Sequence, residues 1–338
     1  MNKSPDQIEL EEVEKELDSI LNQYKAVSKQ KRLCIDEGEK VVLEARCAEL
    51  YRQGRALESR IANLKTLLQP PSPQSKGLGA LPEEPAIEGP VTRWAVLVGV
   101  NRYLDKITYG SLQVCARDAE AIGERLREDG YKNVSILTDK TNNKPTRNEI
   151  LMALQTTAEQ TKPNDLLLFY FSGHGEVEKN KAYLIARDTY QRDLEETAVA
   201  LSKVKETMRR AAANKKVIIV DACHAGANLG GKGARAMSKE FIREVYEKAK
   251  GWATLASCEQ NQKSYEWLRK NQSAFTHFLL EALSGKADFH GKGLISVQDA
   301  HIYVLDRVKA WAAEKRVTQT PTLQTEVAGD IILVDLRK

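Results

Sequence analysis

The 338 residues carry 51 basic and 47 acidic side chains, a formal net charge of +4, and 42% of them are hydrophobic. Acids nearly match bases, no basic tract of the kind that binds nucleic acid is read, and the length allows one large domain with a smaller module. Cys34, Cys47, Cys115, Cys223 and Cys258 are odd in number and show no Cys-x-x-Cys spacing, which argues against a disulfide framework and against a structural zinc site. No signal peptide and no long apolar span is read. The expectation is a reduced, cytoplasmic protein that engages neither membrane nor nucleic acid.

Residues 1–69 read as a helical hairpin. Leu10, Val13, Leu17, Ile20, Tyr24 and Val27 recur at alternating spacings of three and four, and Leu43, Cys47, Leu50, Gly54, Leu57, Ile61, Leu64 and Leu68 do the same. Asp36-Glu37-Gly38 breaks the pattern and predicts the turn between two antiparallel helices. Two helices bury little alone, so the free face is expected to meet a protein partner, a second copy or the domain that follows. Residues 70–91 hold six of the ten prolines with Gly77, Gly79 and Gly89, and read as a linker.

From 92 to 338, apolar runs alternate with amphipathic ones. Trp94–Val100 is the first predicted strand, with Asn101–Tyr103 as its exit loop. A helix then runs from Leu112–Ala119 to about Glu128. Asn133–Leu137 is a strand and Arg147–Gln160 a helix opened by Pro145-Thr146. Leu166–Phe171 is a fully apolar strand. Tyr183–Ala186 is a short apolar run before the polar loop 187–193. Leu201–Ala213 is a helix, Val217–Val220 a β-branched strand, and Trp252–Ser257 another strand. Helices at Ala274–Leu283 and Ser296–Glu314 precede a final strand at Asp330–Val334. This alternation predicts an α/β domain with βαβ crossovers.

Two apolar strands end in chemistry. Leu166–Phe171 leads into Ser172-Gly173-His174-Gly175, and Val217–Val220 into Asp221-Ala222-Cys223-His224-Ala225-Gly226. Ligands in open α/β sheets gather beyond the carboxyl ends of the strands. One strand therefore delivers a histidine and another a cysteine to the same edge, the pattern of a Cys/His dyad. His224 is a poor base, since adjacent strand residues point to opposite faces. A zinc site from Cys223 and His224 would need two further ligands, and none is suitably spaced. His277 reads as a packing residue in a helix; His290 and His301 have no evident partner.

The paired motifs resemble the caspase-like cysteine peptidases, and within them the metacaspases, paracaspases and prokaryotic relatives (orthocaspases) more than animal caspases. Animal caspases carry Gln-Ala-Cys-Arg-Gly, and this chain has Asp221 in place of the Gln. The resemblance covers about 92–338 and implies a mostly parallel sheet of about six strands with helices on both faces, joined to the N-terminal α-helical hairpin. It implies a cysteine endopeptidase with Cys223 as nucleophile and His174 as acid/base. The N–H groups of Gly175 and Cys223 would form the oxyanion hole. Asp221 and the Leu112-x-x-Cys115-x-x-Asp118-Ala119 stretch match the family's substrate pocket, with Ser172 as a further wall. Two carboxylates there would receive Arg or Lys and repel Asp. Ser257 and Glu266 fall in a stretch that shapes the substrate groove in that family.

The Gly-rich, basic stretch between Gly226 and Glu240 lies where the family separates its halves. Lys232, Arg235 and Lys239 are its candidate self-cleavage sites. Calcium, required by some metacaspases, has no clear site: Asp188 and Asp193 stand in a polar loop that is no EF-hand, and no cofactor is expected. The resemblance also implies a role in cell death, signalling or defence. Two rival readings stand beside it. One is a catalytically silent caspase-like scaffold recruiting partners through the hairpin, against which both dyad residues count. The other is a different hydrolase using the same dyad on small substrates.

Overall fold

The computed structural model describes residues 5–33, 46, 50, 53, 57, 91–224, 252–259, 262–289, 291–325 and 330–337, with the backbone alone for residues 5, 6, 21, 24, 25, 28, 29, 31–33, 223 and 224. The chain divides into two compact units, Met1–Glu84 and Pro85–Lys338. The expected turn at 36–38, the linker at 70–90, the loop carrying Lys232, Arg235 and Lys239, and His290 lie outside the described residues.

In the first unit, α1 spans Pro5–Leu33. Its proline stands at the first position, where a missing N–H costs nothing. Val13 is buried, with Leu10 and Leu17 packed beside it and Leu57 packed against it from further along the chain. Arg46, Leu50, Gln53 and Leu57 are helical, and Leu50 is buried. The apolar spacing of three and four thus forms a packed seam where it is described.

The second unit is an α/β domain. Its elements are β1 (Arg93–Gly99), α2 (Cys115–Glu128), β2 (Asn133–Thr138), α3 (Arg147–Gln160), β3 (Leu166–Glu178), β4 (Lys181–Leu184), α4 (Leu194–Thr197), β5 (Val199–Ala200), α5 (Leu201–Arg210) and β6 (Lys215–His224). They continue with β7 (Trp252–Ala256), β8 (Glu266–Trp267), β9 (Gln272–Ser273), α6 (Ala274–Glu281), β10 (Leu294–Ser296), α7 (Val297–Glu314), β11 (Thr322–Thr325) and β12 (Ile332–Asp335). The central sheet runs β11-β7-β6-β3-β1-β2. Along that path the pairings are parallel except at the edge, where β11 lies antiparallel to β7; β4 joins β3, and β5 joins β4, both antiparallel, making eight strands in all.

The strand period of two sorts the core. Val96 and Val98, Phe169 and Phe171, Ile218 and Val220 pack with Ile150 and Leu154 of α3 and Val204 and Met208 of α5. Ala95 and Leu97, Leu168 and Tyr170, Val217 and Ile219 pack with Ile122 of α2, Phe275 of α6 and Val304 of α7. Both faces are covered, which is why these strands read as continuous apolar runs. Local signals set several helix ends. Thr146 caps α3 by accepting from Glu149 N–H, and Ser296 with Asp299 forms a capping box on α7.

One expectation is corrected. The strands ahead of the two motifs do not stop at them. β1 ends at Gly99 opposite Ser172, but β4 then supplies a new antiparallel neighbour to β3 from Gly175 onward, while β6 continues alongside to His224. Ser172–Gly175 and Asp221–His224 are therefore strand backbone. The last apolar run forms β12, which pairs with β10 in a separate two-stranded sheet, and the edge place in the central sheet belongs to β11. None of the described helices is long and apolar enough to cross a membrane.

Candidate active site

The β3–β6 register sets His174 opposite Cys223, Ser172 opposite Asp221, and Gly175 opposite His224. The two motifs are thus side by side in one sheet. His174 is buried at 5% exposure. Its Nε2 lies 2.8 Å from the Gly110 carbonyl oxygen. A carbonyl only accepts, so Nε2 carries the hydrogen, and in the neutral ring Nδ1 carries the lone pair. The backbone N–H of His174 donates to Tyr103 Oη at 3.0 Å, and that hydroxyl donates to Val100 O at 3.0 Å. Tyr103 and Tyr109 stand 5.0 and 6.3 Å from the imidazole, centroid to centroid. Sequence reasoning placed Tyr103 only in an exit loop and missed Tyr109; neither residue belongs to a periodic pattern.

Gly175 pairs with Leu184 across β3 and β4. Ile185 N–H donates to His174 O at 2.9 Å. In an antiparallel ladder this makes Gly175/Leu184 a non-hydrogen-bonded pair. The Gly175 N–H therefore turns away from β4, toward the end of β6 that carries Cys223.

The two acids meet, but not as an open pocket. Asp118 is 0% and Asp221 4% exposed. Ser273 bridges them: its N–H donates to Asp118 Oδ1 at 3.0 Å and its hydroxyl donates to Asp221 Oδ2. Ser172 Oγ donates to Asp118 at 3.3 Å. Asp221 also accepts from Ser264 Oγ at 2.6 Å and Thr276 Oγ1 at 3.1 Å. Burial first, then the neighbouring Asp221 charge, pushes the Asp118 carboxyl well above the usual range. Burial raises Asp221 as well, against its hydroxyl donors.

Leu112, Cys115, Ser172, Asp221, Ser264, Glu266 and Ser273 are among the residues lining a depression of about 10 Å³. That is the room of one water, far short of a guanidinium. Asp118 lies behind this lining rather than in it. The expected two-carboxylate pocket is therefore closed here, its acids already taken by serine and threonine hydroxyls.

Asp118 does not cap its own helix. The α2 N-terminus is satisfied by Asn101 Oδ1, which accepts from Ala116 N–H at 2.9 Å, and by Glu266 Oε1, which accepts from Gln113 and Val114 N–H at 2.6 and 3.0 Å. Glu266 thus ties β8 to the wall bearing Cys115. Gly99 makes this wall reachable, because a Cβ there would lie 2.2 Å from the Cys115 carbonyl oxygen. Ser257 is buried, and its carbonyl accepts from Gln319 Nε2 at 3.0 Å.

His277 packs edge-on to Trp267 at 5.0 Å and bonds Gln272 Oε1 through Nδ1 at 2.9 Å. His301 Nε2 bonds the Pro321 carbonyl at 3.3 Å. Asp188 accepts from Arg147 N–H at 2.8 Å, capping α3. Among the described residues no group of three or more His, Cys, Asp or Glu is arranged to hold a metal ion.

The sequence profile of the caspase domain matches residues 92–331. Metacaspase-1A of Aspergillus oryzae is 38% identical over 115 residues, 31% of this chain and 26% of that protein. Metacaspase-1 of Schizosaccharomyces pombe is 38% identical over 89 residues, 25% of this chain and 20% of that protein. Metacaspase-1 of Plasmodium falciparum is 30% identical over 151 residues, 40% of this chain and 24% of that protein. These matches span about a quarter or less of each relative's length.

Proposed function

The chain belongs to the caspase-domain family, and from that premise we propose that it is a cysteine endopeptidase cutting proteins on the carboxyl side of Arg or Lys. The observation that carries this reading is the register of His174 opposite Cys223, with the His174 Nε2–H held by the Gly110 carbonyl. In this reading Nδ1 takes the proton of the Cys223 thiol, and the thiolate attacks the scissile carbonyl. The new oxyanion is received by the N–H groups of Gly175 and Cys223, which must first leave the β3–β6 ladder that takes them up at this register. The imidazolium then returns its proton to the leaving amine, and water hydrolyses the thioester with His174 as base.

Asp221 is the charge a basic side chain meets, and Asp118 supports it from behind through Ser273 and Ser172. Entry of that side chain displaces hydroxyl donors and moves the Ser264–Glu266 wall outward. The cation then takes over their hydrogen bonds as charge-assisted ones. Protein substrates follow from the reaction. The helical hairpin is the candidate module for a protein partner or for self-association through residues 1–69. Lys232, Arg235 and Lys239 are candidates for cleavage by the enzyme itself, since a tethered substrate has a high effective concentration.

A positional peptide library digested by the purified chain tests the reading, with Cys223→Ala as control. Cuts after Arg and Lys, absent from the control, support it. Cuts after Asp would overturn the pocket, and equal turnover by Cys223→Ala the mechanism.

A further inference from the structure

His174 is held by a loop whose own anchor the mechanism above does not use. The loop joins β1 to α2 and presents the Gly110 carbonyl to His174 Nε2–H. Packing does not fix Gly110: a Cβ built there would meet nothing within 4 Å. The loop's crest is exposed as well, with Ile107 at 94% and Leu104 at 49%. Tyr109, one residue before the carbonyl, is the opposite case. Its ring is 1% exposed, and its hydroxyl donates to Glu176 Oε2 at 2.6 Å.

Glu176 lies two residues beyond His174 on β3, and strand periodicity puts the two on one face. Two reciprocal bonds therefore join the same short stretches. The strand gives His174 N–H to the loop, and the loop gives Tyr109 O–H to the strand. Glu176 is partly buried; its other oxygen faces Gln191 Nε2 at 3.5 Å, with Asp105 and Glu178 as its charged neighbours.

We propose that the Tyr109–Glu176 hydrogen bond is a positioning device for the acid/base residue: it holds the Gly110 carbonyl on His174 Nε2–H and so selects the tautomer whose Nδ1 faces the reaction. The inference rests on the dyad reading given above. Tyr109 and Glu176 touch neither substrate nor thiol in this scheme; they act through the loop. A misplacement of the imidazole by even ~1 Å costs about 100-fold in rate.

Tyr109→Phe keeps the buried ring and removes the donor. It lowers kcat about 10- to 100-fold with KM little changed. Glu176→Gln, which keeps an acceptor for the Tyr109 hydroxyl, restores most of what Glu176→Ala loses. Nitrogen-15 NMR of His174 supplies a readout independent of turnover: Nε2–H in the wild type, mixed tautomers in Tyr109→Phe. Circular dichroism checks that each variant is folded, and the Glu176 pair decides the matter if Tyr109→Phe is not. Unchanged kcat and tautomer in Tyr109→Phe, or equal losses in Glu176→Gln and Glu176→Ala, overturn the proposal. Full turnover by Cys223→Ala would instead sink the dyad reading and leave the tautomer result standing.

Discussion

Asp118 and Asp221 are buried side by side and share one donor residue, the first through Ser273 N–H and the second through Ser273 Oγ. Burial first, and then the neighbouring Asp221 charge, raises the Asp118 carboxyl well above its ordinary value. A raised folded-state value stabilises the fold at low pH, and that contribution is lost as pH rises through the raised range. The empty protein is therefore expected to melt at falling temperature as pH climbs above the ordinary carboxylate range. Asp118→Asn should flatten that dependence, which thermal melts of the two proteins across the pH range check.

The same pair makes binding of a basic side chain pH-dependent in the opposite sense. A cation favours the charged carboxylate, so KM for an Arg peptide should fall as pH rises through that range. Asp221→Asn should raise KM for Arg far more than it alters the fold. KM measured against pH for Arg and norleucine peptides checks this, and parallel curves would remove the acids from the pocket.

Ser273 does three jobs, since its hydroxyl also accepts from Thr276 N–H as the N-cap of α6. Ser273→Ala loses the cap and leaves a buried carboxylate short of a donor. A loss of ~1–3 kcal/mol in denaturant unfolding is expected, with Ser273→Thr closer to wild type.

Cys223→Ala and His174→Ala should each abolish peptide cleavage, and the double variant should be no worse, because members of one catalytic unit do not act additively. Additive losses in kcat would mean that the two residues work separately.

Self-cleavage between Gly226 and Glu240 should give two fragments on incubation, with Cys223→Ala remaining whole. Intact-mass measurement decides it; a wild-type chain that stays full length while cutting added peptide removes Lys232, Arg235 and Lys239 from the scheme. Deleting residues 1–69 should change assembly, read by light scattering, and leave cleavage of a small peptide largely intact.

The sequence by itself determined the parts of this protein that depend on local pattern. Leu166–Phe171 and Val217–Val220 are apolar on both faces, so they had to be central strands, and a polar motif after each marked the working edge. Helices with clear caps, such as Arg147–Gln160, were legible to the residue. β11 was not: Thr322-Leu323-Gln324-Thr325 has one apolar residue and is a strand because the edge of β7 offers it hydrogen bonds. Only the tertiary structure decided how far β3 runs, since β4 replaces β1 as its neighbour. It alone decided the closure of the acidic site, where Ser273 reaches Asp118 across 155 residues and Asp221 across 52. The same holds for Tyr103, Tyr109 and Gly110, loop residues without period, whose hold on His174 exists only once the loop has folded back across the sheet edge. Periodicity records which face of an element is buried; it carries no record of which distant side chain will satisfy a buried polar group.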